Sequence, residues 1–323
     1  MRNWLLVNGG KEVHSPSMKI VPPKYLLLAT LGILGVASAA QAQLIYEGFD
    51  YTNGANIDGQ SGGTGLAGSW TFSNTSSSGL PTGTATVVSG LTFGSLQTSG
   101  NALRVSNGAT PSTAGNLAAV TRTLNVASAP TGTVWLSFLY NIDVYNLPSV
   151  TTGSRVGLVD GVTNEFYARL AYDASLSNFA GGVRTDGNAN FTQALDTTYM
   201  AVLKFNNVGS TNTSGTIWSL NATNFDNFVA GGSTEAALNS NNLSTGSLPA
   251  FAAGASITNT DVFRFLVFSG NAVNSSATYI FDELRLGSTL GSITPIPEPS
   301  TVGLLAGTLG LVAVILRRRA AKA

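Results

Sequence analysis

The chain has 323 residues, of which 10% are charged and 43% hydrophobic, and its formal net charge is zero. It has no cysteine, and its single histidine, His14, lies near the start. A body without Cys and His excludes disulfides, Ser-His-Asp and Cys-His catalysis, and zinc sites built on thiolate or imidazole. Residues 43–294 carry eight Lys/Arg and fourteen Asp/Glu, a net charge of −6. This acidic balance argues against nucleic acid as a partner.

The first 42 residues have the pattern of an N-terminal extension followed by a secretory signal peptide. Two lysines precede an apolar run of twelve residues at 25–36, and small residues follow it. Twelve helical residues span about 18 Å, which is too short to cross a bilayer core of about 30 Å. We expect signal peptidase to recognise the small residues Ala40 and Ala42 and to cut after Ala42.

Residues 43–294 contain segments in which apolar and polar residues alternate, and this alternation predicts half-buried strands. The segment 261–268 is apolar on both faces except for Asp261 and Arg264, which predicts a central strand. The polar stretches 73–84 and 236–248 are typical of exposed loops, and no long amphipathic helix is indicated. The predicted strands are 44–51, 102–105, 117–124, 133–143, 155–159, 165–172, 198–206, 216–221, 261–268 and 278–287.

Ten strands joined by loops rich in Gly, Asn and Ser predict an all-β fold, a single antiparallel β-sandwich of the jelly-roll kind. The opening segment LIYEGFDY at 44–51, with Gly-Ser-Trp at 68–70, resembles the start of concanavalin A-like (LamG-like) domains of secreted bacterial proteins. The closing segment YIFDELRLG at 279–287 resembles their last strand. The resemblance implies that the first and last strands lie side by side.

Three carboxylates of these terminal segments form a candidate metal site. Strand alternation places Asp282 on the face of Ile280 and Leu284, and places Glu47 between apolar residues of the first strand. A carboxylate that faces a core is costly unless it is paired or bound to a cation. If the two strands are neighbours, Glu47, Asp50 and Asp282 could hold a structural calcium ion. The resemblance implies the same, and the alternative is a salt bridge to a nearby arginine or an exposed strand end.

No catalytic site is indicated by the sequence. A retaining glycosidase of this fold needs two carboxylates about 5 Å apart on a concave sheet. The alternating Glu-x-Asp-x-Glu pattern is absent, and the adjacent Asp282 and Glu283 are expected to point to opposite faces of their strand. We therefore expect no enzymatic activity.

A lectin-like role would need aromatic rings exposed toward sugar faces. The alternative for each ring is ordinary packing in the core or at the rim of a sandwich. The candidate rings are Trp70, Trp135, Tyr145 and Trp218.

The last 29 residues combine a Pro-rich segment, an apolar run and a basic end. The tripeptide Pro297, Glu298, Pro299 precedes sixteen uncharged residues at 301–316, and a stop-transfer cluster follows at Arg317, Arg318 and Arg319. A helix over 301–316 spans about 24 Å, slightly less than a bilayer core, and its basic end is expected on the cytoplasmic side. The body would then lie outside.

This order of features resembles the PEP-CTERM sorting signal of Gram-negative bacteria. The resemblance implies that an exosortase recognises the tail, that the tail is cut near the tripeptide, and that the body passes to the outer surface, often among exopolysaccharide. The alternative is an ordinary membrane anchor.

The sequence thus predicts a signal peptide within 1–42, a β-sandwich domain at 43–294 and a sorting tail at 295–323. We expect a membrane-anchored precursor that becomes a non-catalytic structural component of the cell surface or extracellular matrix. A carbohydrate-binding surface module is the alternative, and a glycoside hydrolase is a distant third. No cofactor is expected beyond the structural calcium.

Overall fold

A computed structural model describes residues 43–76, 83–108, 116–146, 154–160, 164–170, 179–181, 191–210, 213–248, 256–268 and 276–295. The chain divides into two compact units, Met1–Ala40 and Gln41–Ala323, and every described residue belongs to the second. Among these residues the structure contains no helix long and apolar enough to cross a membrane.

Fifteen strands and three short helices make up the described part of the chain. The strands are β1 Gln43–Glu47, β2 Leu66–Ser76, β3 Thr84–Ser89, β4 Asn101–Ser106, β5 Asn116–Leu124, β6 Gly132–Asn146, β7 Ser154–Asp160, β8 Asn164–Leu170, β9 Phe179–Gly181, β10 Phe191–Gln193, β11 Thr198–Val208, β12 Ser214–Leu220, β13 Ser244–Leu248, β14 Val262–Phe268 and β15 Ser276–Gly287. The helices are α1 Ala222–Ala230, α2 Glu235–Ser240 and α3 Leu290–Ile293.

Two antiparallel sheets form the sandwich. The larger sheet has eight strands in the order β13-β12-β11-β6-β15-β4-β3, with β1 also paired to β15. The smaller sheet has the order β2-β5-β14-β7-β8, so β14 is central, as its two apolar faces predicted. Strands β9 and β10 form a separate pair. The antiparallel β-sandwich is therefore confirmed, and so is the pairing of the first strand with the last.

The main core lies between the two sheets, where alternate residues of facing strands interdigitate. The face of β6 that begins at Val134 and the face of β11 that begins at Tyr199 both point into it, in agreement with the sequence prediction. Three rings at its centre, Phe49, Trp70 and Phe265, have centroids 5.8–5.9 Å apart. Each such ring buries a large apolar area, so this cluster is a main source of the fold's stability.

A bulge in β15 reverses which residues face the core. The pairing of β15 with β6 gains one residue between Asp282 and Arg285, and Glu283 takes a left-handed conformation with φ of 52°. Tyr279 and Phe281 face the core before the bulge, and Leu284 and Leu286 face it afterwards. Asp282 shares a face with Ile280, as predicted, but the prediction that Leu284 and Leu286 lie on that face was wrong, because an inserted residue shifts the alternation by one.

The outer face of the larger sheet is covered in part by a second apolar cluster. Trp135 and Leu139 of β6 pack there against helices α1, α2 and α3 and against the loop that carries Phe93 and Leu96. Helix α1 begins after Asn221, whose side chain accepts a hydrogen bond from the Asn224 backbone N–H at 2.8 Å. These helices and this loop bury part of a sheet face that is exposed to solvent in a simple two-layer sandwich.

Two loop predictions were wrong in part. The stretch 236–248 contains most of α2 and all of β13, because Thr234 caps the helix and Leu238 is buried in the outer cluster. The stretch 73–84 begins with the last residues of β2 and ends at the first residue of β3. Polar composition alone does not reveal an edge strand or a short capped helix.

Candidate functional site

The first buried polar cluster surrounds Glu47 at the end of β1. This carboxylate is 1% exposed. Its Oε1 accepts the Phe49 backbone N–H at 2.8 Å. Its Oε2 accepts from the Tyr51 hydroxyl at 2.8 Å, the Trp70 indole N–H at 3.1 Å and an Arg122 guanidinium nitrogen at 3.2 Å. Both oxygens of this buried carboxylate therefore have hydrogen-bond donors.

Arg122 is the cation that neutralises this carboxylate. It lies on β5 between the core residues Val120 and Leu124, and its side chain is 4% exposed. The same guanidinium nitrogen donates to the Gly62 carbonyl at 2.8 Å, and the guanidinium carbon lies 5.6 Å from the centre of the Trp70 ring. An ion pair so enclosed needs these extra hydrogen bonds to offset its loss of water.

Tyr51 closes the Glu47 cluster toward solvent. Burial raises the pKa of its hydroxyl, and the negative charge of Glu47 raises that pKa further. The hydroxyl thus stays protonated and donates at every ordinary pH. The cluster is therefore a hydrogen-bonded network around a buried ion pair.

The second buried polar cluster surrounds Glu283 in the bulge of β15. Its carboxylate accepts the Ser99 backbone N–H at 2.5 Å and pairs with Arg285. Tyr46 of the neighbouring strand β1 donates to the same carboxylate at 3.3 Å, and its ring lies 4.7 Å from the Arg285 guanidinium carbon. Arg285 also donates to the Gln97 carbonyl at 2.8 Å. The cluster ties the loop before β4 to the last strand.

Asp282 lies next to this cluster but accepts from backbone groups. Its two oxygens take the N–H groups of Leu91 and Glu283 at 2.8 and 2.7 Å. Burial raises the pKa of its carboxyl to about 8, and the nearby Glu283 charge contributes to that rise. A raised carboxyl pKa is common at catalytic sites, but buried structural groups show it too. Asp282 is 1% exposed, so a substrate would have no access to it unless the loop that carries Leu91 moved.

The structure does not gather the three predicted calcium ligands. Glu47 pairs with Arg122, Asp282 accepts backbone N–H groups, and Asp50 is exposed. Across the described ranges, no group of three or more His, Cys, Asp or Glu residues is placed to hold a metal ion. The salt bridge that the sequence left open as an alternative is the arrangement found at Glu47. A calcium site stays a prediction without support from this geometry.

The candidate sugar-binding rings are mostly internal. Trp70 belongs to the main core, and Trp135 and Trp218 stack on each other in the outer cluster with ring centres 5.8 Å apart. All three are buried, so these rings are packing residues. The side chain of Tyr145 lies outside the described residues.

The C-terminal end of the body is held against the larger sheet. Helix α3 buries Leu290 and Ile293 in the outer cluster, and Thr294 is also buried. The Ser137 hydroxyl donates to the Ile293 carbonyl at 2.7 Å, and the Gln97 backbone N–H donates to the Pro295 carbonyl at 3.1 Å. The contacts of the described chain with the larger sheet and its loops thus include Pro295, two residues before the tripeptide.

The sorting signals themselves lie outside the described residues. These are the cleavage-site residues Ala40 and Ala42, the tripeptide at 297–299 and the arginines at 317–319. The first described residue, Gln43, begins β1 directly after the predicted cleavage point. Signal-peptide cleavage and recognition of the tail stay predictions.

No family model matches the sequence, and no curated protein matches it. Solved structures with a similar fold include an endo-β-1,4-glucuronan lyase from the fungus Trichoderma reesei, with 10% identity and a TM-score of 0.39, covering 78% of this chain and 98% of that one. Lectin UEA-II complexed with galactose is similar at 8% identity and a TM-score of 0.41, covering 76% and 99%.

Domain 4 of an extracellular arabinanase from Geobacillus stearothermophilus, in complex with arabinotriose, is similar at 11% identity and a TM-score of 0.40. The alignment covers 80% of this chain and 98% of that domain. Likenesses this distant transfer no activity and no ligand to this chain.

The sequence singled out Glu47 and Asp282 as buried carboxylates, but it did not identify the residues that bind them. Arg122 is 75 residues from Glu47, and a single sequence offers no signal that joins the two. Arg122 does stand out as a charge within the otherwise apolar alternation of Val120 and Leu124. Glu47 and Arg122 thus have opposite charges, and each lies on an otherwise apolar strand face. This pattern indicates a buried ion pair.

Proposed function

We propose that this chain is an exported protein with a concanavalin A-like body, delivered to the outer cell surface through a PEP-CTERM-type tail, where it serves as a non-catalytic structural component. Exosortase and signal peptidase are its processing partners, and exopolysaccharide is the surrounding matrix. The proposal joins the signal pattern at 1–42, the tail pattern at 295–323 and the geometry of the body.

The contacts of the buried carboxylates are the observation that supports a non-catalytic role. Among the described residues four carboxylates are buried, and each is engaged in the fold. Glu47 and Glu283 pair with arginines, Asp282 accepts two backbone N–H groups, and Asp261 accepts from Thr258. Groups held in this way stabilise strands and loops, and their engagement in the fold supports a structural role.

The position of the tail supports the sorting part. The first and last strands pair in the middle of the larger sheet, and α3 then leads the chain to the half-buried Pro295. The described residues end at Pro295, before the tripeptide, so removal of the residues after the tripeptide takes none of them from the body.

Cell fractionation of the producing bacterium tests the proposal. The wild-type chain and a Glu298→Lys variant would be compared, with Glu235→Lys as a matched charge reversal on the body surface. We expect wild type and Glu235→Lys at the outer surface and the Glu298→Lys variant retained with the membrane as a longer precursor. Retention of all three with the membrane would contradict the sorting role.

A glycan array and a reducing-sugar assay on the surface-recovered protein test the non-catalytic structural role. We expect no release of sugar ends. Specific binding to one glycan class would replace the structural role with a carbohydrate-binding one, and turnover would replace it with an enzymatic one.

A further inference from the structure

Two Asn-Gly pairs occur within residues 43–294, at Asn53-Gly54 and Asn107-Gly108. Their local sequences are nearly the same, Thr-Asn-Gly-Ala and Ser-Asn-Gly-Ala. Asparagine before glycine readily loses its side-chain amide, because glycine has no side chain to obstruct attack by its backbone nitrogen on the asparagine side chain. Since the two local sequences match, a difference in reactivity between them has to come from the fold.

Asn53 and Gly54 lie at the centre of an exposed turn between β1 and β2. The Ala55 backbone N–H donates to the Thr52 carbonyl at 3.0 Å, which closes the turn. Gly54 has a φ of 85°, in the left-handed region that suits glycine at this position of a turn. The Asn53 amide donates to the Ser89 hydroxyl at 3.3 Å, a long hydrogen bond at the surface. Both residues of the pair are exposed and therefore in contact with water.

Asn107, by contrast, is enclosed by the sandwich and is 0% exposed. Its Oδ1 accepts the Ala277 backbone N–H at 2.8 Å, and its own N–H donates to the Ala277 carbonyl at 3.2 Å. The Gly108 N–H donates to the Ser106 hydroxyl at 3.3 Å. These contacts hold both the side-chain amide and the nitrogen that would attack it, so Asn107 is a matched but protected site.

The turn at Asn53 begins a segment that covers one edge of the larger sheet. The terminal strand at that edge is β3, and residues 53–57, termed here the edge guard, run along it. The Gly54 N–H donates to the Val87 carbonyl at 2.8 Å, and the Val87 N–H donates to the Ala55 carbonyl at 2.8 Å. An uncovered sheet edge can pair with another chain, and the edge guard opposes this.

The nitrogen that attacks Asn53 is also the first donor of the edge guard. While the Gly54 N–H donates to Val87, its nitrogen is not directed at the Asn53 side chain. The reaction therefore proceeds from a locally opened turn, and an exposed turn opens far more often than a buried strand end. We expect Asn53 to react more slowly in the fold than in the unfolded chain, and much faster than Asn107.

We propose that Asn53 is a site of spontaneous modification in this protein and that its conversion loosens the edge guard. In the first step the Gly54 nitrogen bonds to Cγ of Asn53, the Cγ–Nδ2 bond breaks, and ammonia leaves with the proton of the Gly54 N–H. Water then opens the cyclic imide at either carbonyl, which gives aspartate or isoaspartate. Neither step depends on the proposed sorting function.

The products act on the edge guard in two ways. Each adds a negative charge to a body whose net charge is already −6. Isoaspartate also inserts a methylene group into the main chain, which moves the Gly54 nitrogen from its place opposite the Val87 carbonyl. The Val87 N–H, which the edge guard protects through Ala55, should then exchange faster with solvent.

Peptide mapping by mass spectrometry of the purified full-length chain, incubated in mildly alkaline buffer, tests the modification. We expect the mass increase of an amide-to-carboxyl exchange at Asn53, at least about tenfold faster than at Asn107, because the reaction follows the population of the open segment. In the chain unfolded in urea, the two sites should convert at similar rates. No conversion at Asn53, or equal rates at the two sites in the folded protein, would overturn the proposal.

Hydrogen exchange at the Val87 amide tests the loosening of the edge guard. We expect exchange about threefold faster or more in the converted wild type than in fresh protein, because local opening of the segment exposes this N–H. The matched variant is Asn53→Gln, whose longer side chain closes a ring far more slowly, and its Val87 exchange should not change during the same incubation. The Tyr279 amide on the central strand β15 serves as an internal control and should also stay unchanged. Unchanged exchange at Val87 in converted protein, or an equal increase at Tyr279, would contradict a local effect on the edge guard.

Discussion

Glu47 and Asp282 lie on neighbouring strands and are each 1% exposed, yet the protein stabilises them in different ways. Glu47 has a cation, Arg122, together with donors from Tyr51 and Trp70. Asp282 accepts the backbone N–H groups of Leu91 and Glu283, and its pKa is raised to about 8. The first is a buried ion pair, and the second is a buried acid that binds its proton tightly.

The comparison shows that equal burial does not imply equal chemistry. A buried carboxylate beside a cation contributes to stability through the pair, and removing one partner leaves an uncompensated charge. A buried carboxylate that accepts backbone N–H groups anchors a loop whether or not it carries a proton. The following predictions test this difference, beginning with the largest expected effect.

Arg122→Leu should cause the largest loss of stability. It leaves Glu47 buried beside Trp70 without its cation, and breaking such a pair costs about 3–5 kcal/mol. The measurement is the free energy of unfolding in urea at pH 7. Arg104→Leu is the matched control, because its ion pair with Asp143 is 44% and 28% exposed, and such a pair contributes at most about 1 kcal/mol. Equal losses in the two variants would contradict the Glu47 pairing.

Asp282 should make stability fall as the pH rises. Its folded pKa of about 8 lies above its unfolded value of 3.8, so the folded state holds the proton more tightly. The resulting stability is fully present below pH 3.8 and is lost as the pH rises toward 8. Relative to Asp282→Asn, the wild type should lose at least about 1.4 kcal/mol over this range, the value of one pKa unit.

Urea unfolding of the wild type and Asp282→Asn at pH 5, 7 and 9 measures this difference. The variant keeps the size of the side chain and cannot ionise. The free energy of unfolding of the wild type should therefore fall relative to that of the variant as the pH rises from 5 to 9. Parallel pH profiles of the two proteins would show that Asp282 does not carry the raised pKa.

Tyr51→Phe should have a moderate effect. It removes one hydroxyl donor from Glu47 Oε2 and leaves the Arg122 pair in place, so we expect a loss of about 1 kcal/mol. The melting temperature and the free energy of unfolding measure it. A loss as large as that of Arg122→Leu would mean that the hydroxyl, and not the cation, stabilises the buried charge.

Adding or removing calcium should have the smallest effect on stability. Glu47 and Asp282 accept donors from the protein on both oxygens, and the described residues contain no group of three or more His, Cys, Asp or Glu placed to hold a metal ion. We expect the melting temperature to be the same in excess calcium and in excess chelator. A rise of several degrees with calcium would restore the metal site predicted from the sequence.

Local alternation made much of the sandwich predictable. The inward faces of β6 and β11 and the central position of β14 follow from which residues are apolar at spacing two. The pairing of β1 with β15 followed from the resemblance of the two end segments. In each case the information is contained within one strand or within one recognisable segment.

The remaining features depend on distant contacts. The bulge at Glu283 shifts the alternation of β15 by one residue, and nothing in the segment YIFDELRLG marks the inserted position. Helix α1 is short, and its Phe225 and Phe228 acquire a core only because the outer face of the larger sheet lies beneath them. Arg122 becomes the partner of Glu47 only after the two sheets have closed.

The intact mass of the protein recovered from the cell surface tests the central claim most directly. The account predicts a chain that begins at Gln43 and has lost residues 301–323. A surface protein that still carries these residues would reduce the tail to a plain membrane anchor. A protein found inside the cell with residues 1–42 still attached would contradict export altogether.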